Sequence, residues 1–211
     1  MMNIAPQILL SLFAQCAADV APETLNTLIN VESSRNPYAI AVVYDKSVKD
    51  SDKLTFSQPS SEDEALRIID QLTAKKTHKS YSVGIMQVNS TNFQKYGINR
   101  ANMFDACKNI STGAKIFQSC YETAKQNSPQ EHEQTLLRRA ASCYYAGNEI
   151  RGYQPDYNGT SYIDRINALV ANSTYKVPAI KPLNTVDETH QQKIKPPKII
   201  SAWDVFGDFS Q

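Results

Sequence analysis

Ile110, Ala114, Phe117, Tyr121 and Ala124 recur at intervals of three and four. That is the spacing of one helix face, and it is the longest such pattern in the chain. Leu136, Leu137, Ala140, Ala141 and Tyr144 form the next stripe, with Gly147 as a natural stop. Helices with one apolar face must bury it, so these stripes predict a mainly α core. Pro22 and Glu23 read as the first turn of an earlier helix, carrying Leu25, Leu28, Ile29 and Glu32. Pro37 is expected to end it, because a proline pushes the residue before it out of the α region. Ser61 with Glu64 reads as a capping box ahead of Ala65, Ile68, Ile69 and Leu72. Ser161 is expected to cap a last helix carrying Tyr162, Ile166 and Leu169. Ala39 to Tyr44 and residues 81–92 read as short extended or looped stretches, and residues 45–60 as polar and irregular.

At 211 residues the chain holds one good-sized domain plus an appendage, expected at residues 1–172 and 173–211. Residues 173–200 contain four prolines and no periodicity, which reads as a flexible linker. The tail then ends in an aromatic motif with Trp203, Phe206 and Phe209, which reads as a docking element for a protein partner, as a piece that folds back on the domain, or as a segment with no role, and docking is preferred. A net charge of +1 gives no argument for nucleic acid or an anionic surface. No run reaches the ~18 apolar residues of a membrane span. Ile8 to Ala14 admits two readings. It could be the apolar core of a signal peptide, although no positive charge precedes it. It could instead be a structural helix with Ile8, Leu9, Leu12, Phe13 and Cys16 on one face, and this reading is preferred.

Cys16, Cys107, Cys120 and Cys143 lack the spacing of a zinc site, and His78, His132 and His190 are scattered. An even count is compatible with two disulfides in an oxidising compartment, or with four buried thiols. If residues 110–125 are helical, Cys107 and Cys120 stand ~20 Å apart along the axis, too far to bridge. Two pairings remain, of which Cys16–Cys107 with Cys120–Cys143 is preferred. The sequons at Asn89, Asn109, Asn158 and Asn172 are read as chance, since two fall in packed or site segments.

A carboxylate where a helix meets a proline-containing loop can be half desolvated, which suits it to donate a proton. Glu32 occupies such a place. Gln87 and Asn89, in the string Tyr81-Ser82-Val83-Gly84-Ile85-Met86-Gln87-Val88-Asn89, are amides able to hold a polar, uncharged substrate. Together these point to acid catalysis on a sugar. Tyr144, Tyr145 and Asn148 surround Gly147, and tyrosines offer a sugar an apolar face plus a hydroxyl. A hydrolase usually has a second carboxylate, for which Asp45, Asp50 and Asp52 are candidates. Without one, the substrate must assist itself, as an N-acetyl group can.

Glu32-Ser33, Gly84-Ile85-Met86-Gln87-Val88-Asn89, Cys143-Tyr144-Tyr145-Ala146-Gly147 and Tyr162-Ile163 stand in the order and spacing of four motifs. Over residues of roughly 20 to 170 the chain thereby resembles the lytic transglycosylases with the goose-lysozyme-like fold. Asn36-Pro37-Tyr38-Ala39-Ile40, Tyr81 to Gly84, Phe104 to Ile110, the insert between the first two motifs and Trp203 to Gly207 are similar to the branch serving type IV secretion and conjugation machines.

The resemblance implies a lysozyme-like α+β fold with a small extended region at the cleft, and no metal or organic cofactor. It implies cleavage of peptidoglycan between N-acetylmuramic acid and N-acetylglucosamine, with a 1,6-anhydro product. Glu32 would act first as acid and then as base. Ser33, Gln87 and Tyr144 would position substrate, with Met86, Asn89, Tyr145 and Asn148 in the same motifs, and Tyr162 would hold Glu32. The setting would be the bacterial periplasm or cell envelope, where the wall is opened for a secretion channel. Tyr145 stands where the broad family has Asn, so the contact carried by that amide is open here. The competing readings are a lysozyme-type hydrolase using a loop aspartate, and a non-catalytic glycan-binding assembly module.

Overall fold

A computed structural model describes residues 3–156 and 158–171. The elements run α1 (Pro6–Cys16), α2 (Pro22–Ser33), β1 (Ile40–Tyr44), α3 (Glu62–Lys75), β2 (His78–Val83), β3 (Val88–Asn89), α4 (Phe93–Tyr96), α5 (Ala106–Asn127), α6 (Glu133–Ala146) and α7 (Tyr162–Ala171). This is the mainly α, α+β class that the sequence predicts. Among the described residues no helix is long and apolar enough to cross a membrane. The chain divides into two compact units. One comprises the described residues up to Ala18 with Leu28–Lys115, the other Asp19–Thr27 with the described residues from Ile116 onward.

The first unit is organised by a three-stranded antiparallel sheet in the order β1-β2-β3. The β1–β2 register pairs Ile40 with Val83 and Val42 with Tyr81, and slips at a bulge between Val43 and Tyr44. Ile40, Tyr81 and Val83 face a core shared with Ala65, Ile68, Ile69 and Leu72 of α3, and with Ile98, Met103 and Phe104. The α3 stripe is therefore buried as its period requires. Ser61 caps α3, its hydroxyl accepting from Glu64 N–H at 3.3 Å. The expected return bond is displaced by one residue. The Glu64 carboxylate accepts from the N–H and hydroxyl of Ser60, at 2.8 and 3.1 Å. The outer edge of β1 is closed at Ile40 by the Gln58 amide, which donates to its carbonyl at 2.8 Å and accepts from its N–H at 3.0 Å.

Two expectations in this unit need correction. On α1 the inward face is narrower than predicted, with Leu9 and Phe13 buried and Ile8 55% exposed. A turn of ~100° per residue puts Ile8 a quarter-turn from Leu9, off the arc that Phe13 and Cys16 share. On α2 the helix stops at Ser33, before Pro37 acts. Ser34 and Arg35 both adopt left-handed backbone, φ 52° and 69°, and reverse the chain. Asn36 then fastens the exit, donating to Pro59 O at 3.2 Å and accepting from Tyr38 N–H at 2.9 Å. A disulfide joins Cys16 at the end of α1 to Cys107 in the first turn of α5.

In the second unit, Cys120–Cys143 ties α5 to α6, completing the preferred pairing. Leu136, Leu137, Ala140 and Ala141 of α6 are buried as predicted, and left-handed Gly147 ends the helix. The turn Arg151–Tyr153 lies against α6, with Gly152 N–H donating to Ser142 Oγ at 2.8 Å. Ser161 and Asp164 form a reciprocal cap at the start of α7, at 3.0 and 2.9 Å. Here Leu169 is 39% exposed, contrary to the predicted stripe. Burying Ile163 rotates the inward arc toward Val170. The predicted linker and its aromatic motif lie outside the described residues.

Candidate functional site

Glu32 is the penultimate residue of α2 and is half-buried. Its neighbour Ser33 anchors that helix end. The Ser33 hydroxyl donates to Ile85 O at 2.7 Å, across 52 residues of sequence, and lies 3.2 Å from Ile29 O one turn back. Ile85 belongs to the tight turn Gly84 to Gln87, closed by Gln87 N–H donating to Gly84 O at 3.1 Å. Gly84 and Gln87 both have positive φ, 78° and 48°. A left-handed glutamine is uncommon and is held only where its surroundings over-determine it.

Those surroundings are visible. Gln87 Nε2 donates to Ala39 O and Gly84 O, both at 2.9 Å, and Gly84 N–H also donates to Ala39 O at 2.9 Å. With Nε2 engaged by these two carbonyls, Oε1 is the acceptor atom of the Gln87 amide. Met86 is fully buried, so its side chain belongs to the core beneath the turn. Asn89 is engaged locally. Its Oδ1 accepts from Thr91 N–H and hydroxyl, and its Nδ2 donates to Ser80 and Ser82 hydroxyls. Asp45, Asp50 and Asp52 are all exposed, and Asp50 and Asp45 pair with Lys53 and Lys79 at 2.7 and 3.9 Å.

The remaining predicted residues gather in the second unit. Tyr145 and Tyr162 stack, ring centroids 4.5 Å apart and 12° from parallel. The Arg165 guanidinium stands 5.9 and 5.6 Å from the two centroids. The Tyr145 hydroxyl hydrogen-bonds the Asp156 carboxylate, which also pairs with Arg165 at 2.9 Å. Burial first, then the bond to Asp156, raises the Tyr145 phenol above its ordinary range. Tyr162 is fully buried and Tyr145 is 38% exposed, so Tyr145 is the solvent face of this pair. Tyr144 is half-buried, its ring 6.4 Å from Phe117. The Asn148 amide folds its own loop, accepting from the N–H groups of Ile150 and Arg151 at 3.1 and 2.8 Å. Sequence reasoning passed over Asp156 and Arg165, since nothing in their spacing marks them as partners of Tyr145.

Glu32 thus ends a helix that its neighbour Ser33 ties to the Gly84–Gln87 turn, on an α+β frame. The transglycosylase SLT domain model matches residues 10–167, and the chain belongs to that family. It is similar to the type IV secretion system protein virB1 of Brucella suis, 42% identical over 82% of this chain and 68% of the relative. It is similar to the same protein of Brucella abortus, 43% identical over 75% of this chain and 62% of the relative. It is also similar to protein virB1 of Rhizobium radiobacter, 30% identical over 93% of this chain and 71% of the relative. No solved structure matches the chain.

Proposed function

We propose that the chain is a lytic transglycosylase that cuts peptidoglycan strands between N-acetylmuramic acid and N-acetylglucosamine, with Glu32 as its acid and base. The observation that carries this is the Ser33–Ile85 hydrogen bond, which ties the Glu32 helix end to the Gly84–Gln87 turn. A proton donor and an amide acceptor are thereby held on rigid backbone, as a positioned acid catalyst needs.

The protonated Glu32 carboxyl gives its proton to the glycosidic oxygen as the C1–O bond breaks. The resulting carboxylate then takes the proton from the muramyl C6 hydroxyl as that oxygen bonds to C1. Glu32 ends protonated, no water is consumed, and the product carries a 1,6-anhydro ring. Gln87 is assigned to the N-acetyl or hydroxyl groups of the sugar. Ser33 and Met86 support the turn, and Asn89 braces the strand after it against β2 through Ser80 and Ser82. Tyr144, Tyr145 and Asn148 are assigned to substrate contacts, and the buried Tyr162 ring stacks under Tyr145. The exposed aspartates argue against a hydrolase, because a carboxylate that must steer a water or bond to C1 needs a fixed position. The Brucella relatives are named type IV secretion system proteins, and on that likeness the proposal extends to opening the wall for such an apparatus in the cell envelope. Trp203, Phe206 and Phe209 are assigned to docking on its components.

The test is mass spectrometry of purified peptidoglycan digested by the full chain and by Glu32→Gln. Anhydro-ended fragments from the wild type, falling by about 10²-fold or more in the variant, are expected. Reducing-end fragments would instead establish a hydrolase, and undiminished cutting by the variant would remove Glu32 from the reaction. Deleting residues 199–211 is expected to leave this digestion intact and to weaken secretion.

A further inference from the structure

We propose that Asn109 is a positioning residue for the Gly84–Gln87 turn, an inference that rests on the transglycosylase reading above. Asn109 lies in the first turn of α5 and is 1% exposed. Its Oδ1 accepts from Met86 N–H at 2.8 Å, and its Nδ2 donates to Val83 O at 2.9 Å and Met103 O at 3.3 Å. Met86 is inside the turn and Val83 immediately precedes it, so one side chain grips the turn on both sides of Gly84. The approach is close. A Cβ built on Gly84 would stand 2.4 Å from Asn109 Nδ2. The position thus requires glycine in the turn and an amide beneath it.

Among side chains of this size, only a primary amide accepts once and donates twice in this geometry. Without it the Met86 N–H and Val83 C=O lose their partner in a dry interior, where an unpaired backbone group is costly. The turn must then move to recover bonds. It carries Ile85 O, which Ser33 holds, and Gln87, which is assigned to the sugar. Asn109 touches neither substrate nor Glu32 in this scheme and acts through the turn. Its burial also leaves the sequon at this position no access to a glycosylating enzyme.

The test uses the full chain and compares the rate of anhydro-end release by wild type, N109D and the core variant I69V between about pH 5 and pH 8. In N109D the introduced carboxylate still accepts from Met86 N–H but faces two carbonyls with no proton to offer. On protonation it regains one donor. The groups at hydrogen-bond distance come from β2, the turn and the segment before α5, and all are backbone. The charged groups on its own helix turn are Lys108 and, just before the helix, Asp105, which is exposed.

The activity of N109D relative to wild type is expected to be tenfold or more below unity at about pH 8 and to rise as the pH falls. Taking the ratio removes the titration of Glu32 itself. I69V, which lowers Tm through the same core, is expected to keep its activity at every pH. A ratio that does not change with pH, or an N109D loss no greater than that of I69V, would overturn the inference and leave the transglycosylase reading standing. A wild type that releases no anhydro ends would overturn both.

Discussion

Gly84→Ala is the substitution whose cost the structure defines most closely. The position has φ +78°, where a Cβ meets the following carbonyl, a strain of roughly 1–2 kcal/mol. The new methyl also lands 2.4, 2.6 and 2.9 Å from the three terminal atoms of the Asn109 amide. That amide is held by three hydrogen bonds and cannot swing aside freely. Overpacking of this kind costs roughly 1–3 kcal/mol, for a total of about 2–5 kcal/mol. The two contributions separate in a double-mutant cycle. In an Asn109→Ala background the clash is gone and only the backbone strain remains, so Gly84→Ala should then cost no more than about 2 kcal/mol. The assay is urea unfolding of the four proteins by far-UV circular dichroism with disulfides intact. A coupling of roughly 1–3 kcal/mol between the sites is expected. If Gly84→Ala costs the same with and without the Asn109 side chain, the turn is not pressed on that amide and the positioning argument fails with it.

Two further predictions follow from other parts of the fold. Cys16–Cys107 and Cys120–Cys143 close loops with sequence separations of 91 and 23, so the chain-entropy relation gives about 4.6 and 3.4 kcal/mol of stabilisation. C16S/C107S should therefore lower the urea midpoint more than C120S/C143S, and the reverse order would refute the entropic account. Raising the Tyr145 phenol pKa on folding stabilises the neutral form, so this contribution is complete below the unfolded value near 10 and is lost as pH climbs through the folded one. Y145F should be less stable than wild type at about pH 9, with the gap closing at more alkaline pH, and a gap independent of pH would show that folding does not raise the phenol.

What the sequence disclosed was largely what is local. The α3 stripe, the Ser161 cap and the Gly147 stop depend on neighbours within four or five residues, and all were readable. The site motifs were readable as strings, but the reason for their shape was not. Nothing near Gly84 reveals that an amide 25 residues later lies against it, and Asn109 read as a chance sequon. Ser34 and Arg35 gave no sign of left-handed backbone because neither is glycine or asparagine, so the stop of α2 was assigned to Pro37. Tyr145 was legible as a departure from the family's amide. Its partners Asp156 and Arg165 became visible only once α6, the following loop and α7 were brought together.

The order of the cysteines has a consequence for how the protein is made. The first pairs with the second and the third with the fourth. A chain that emerges amino-terminus first into an oxidising compartment then meets its thiols one at a time. Cys16 waits unpaired until Cys107 arrives, and that bond can close before Cys120 is present to compete. Cys143 likewise finds Cys120 as the sole thiol left. Native connectivity can thus arise without reshuffling, a slow step that takes seconds to hours where pairings interleave. Refolding of the whole reduced chain lacks that ordering, because all four thiols are then available at once.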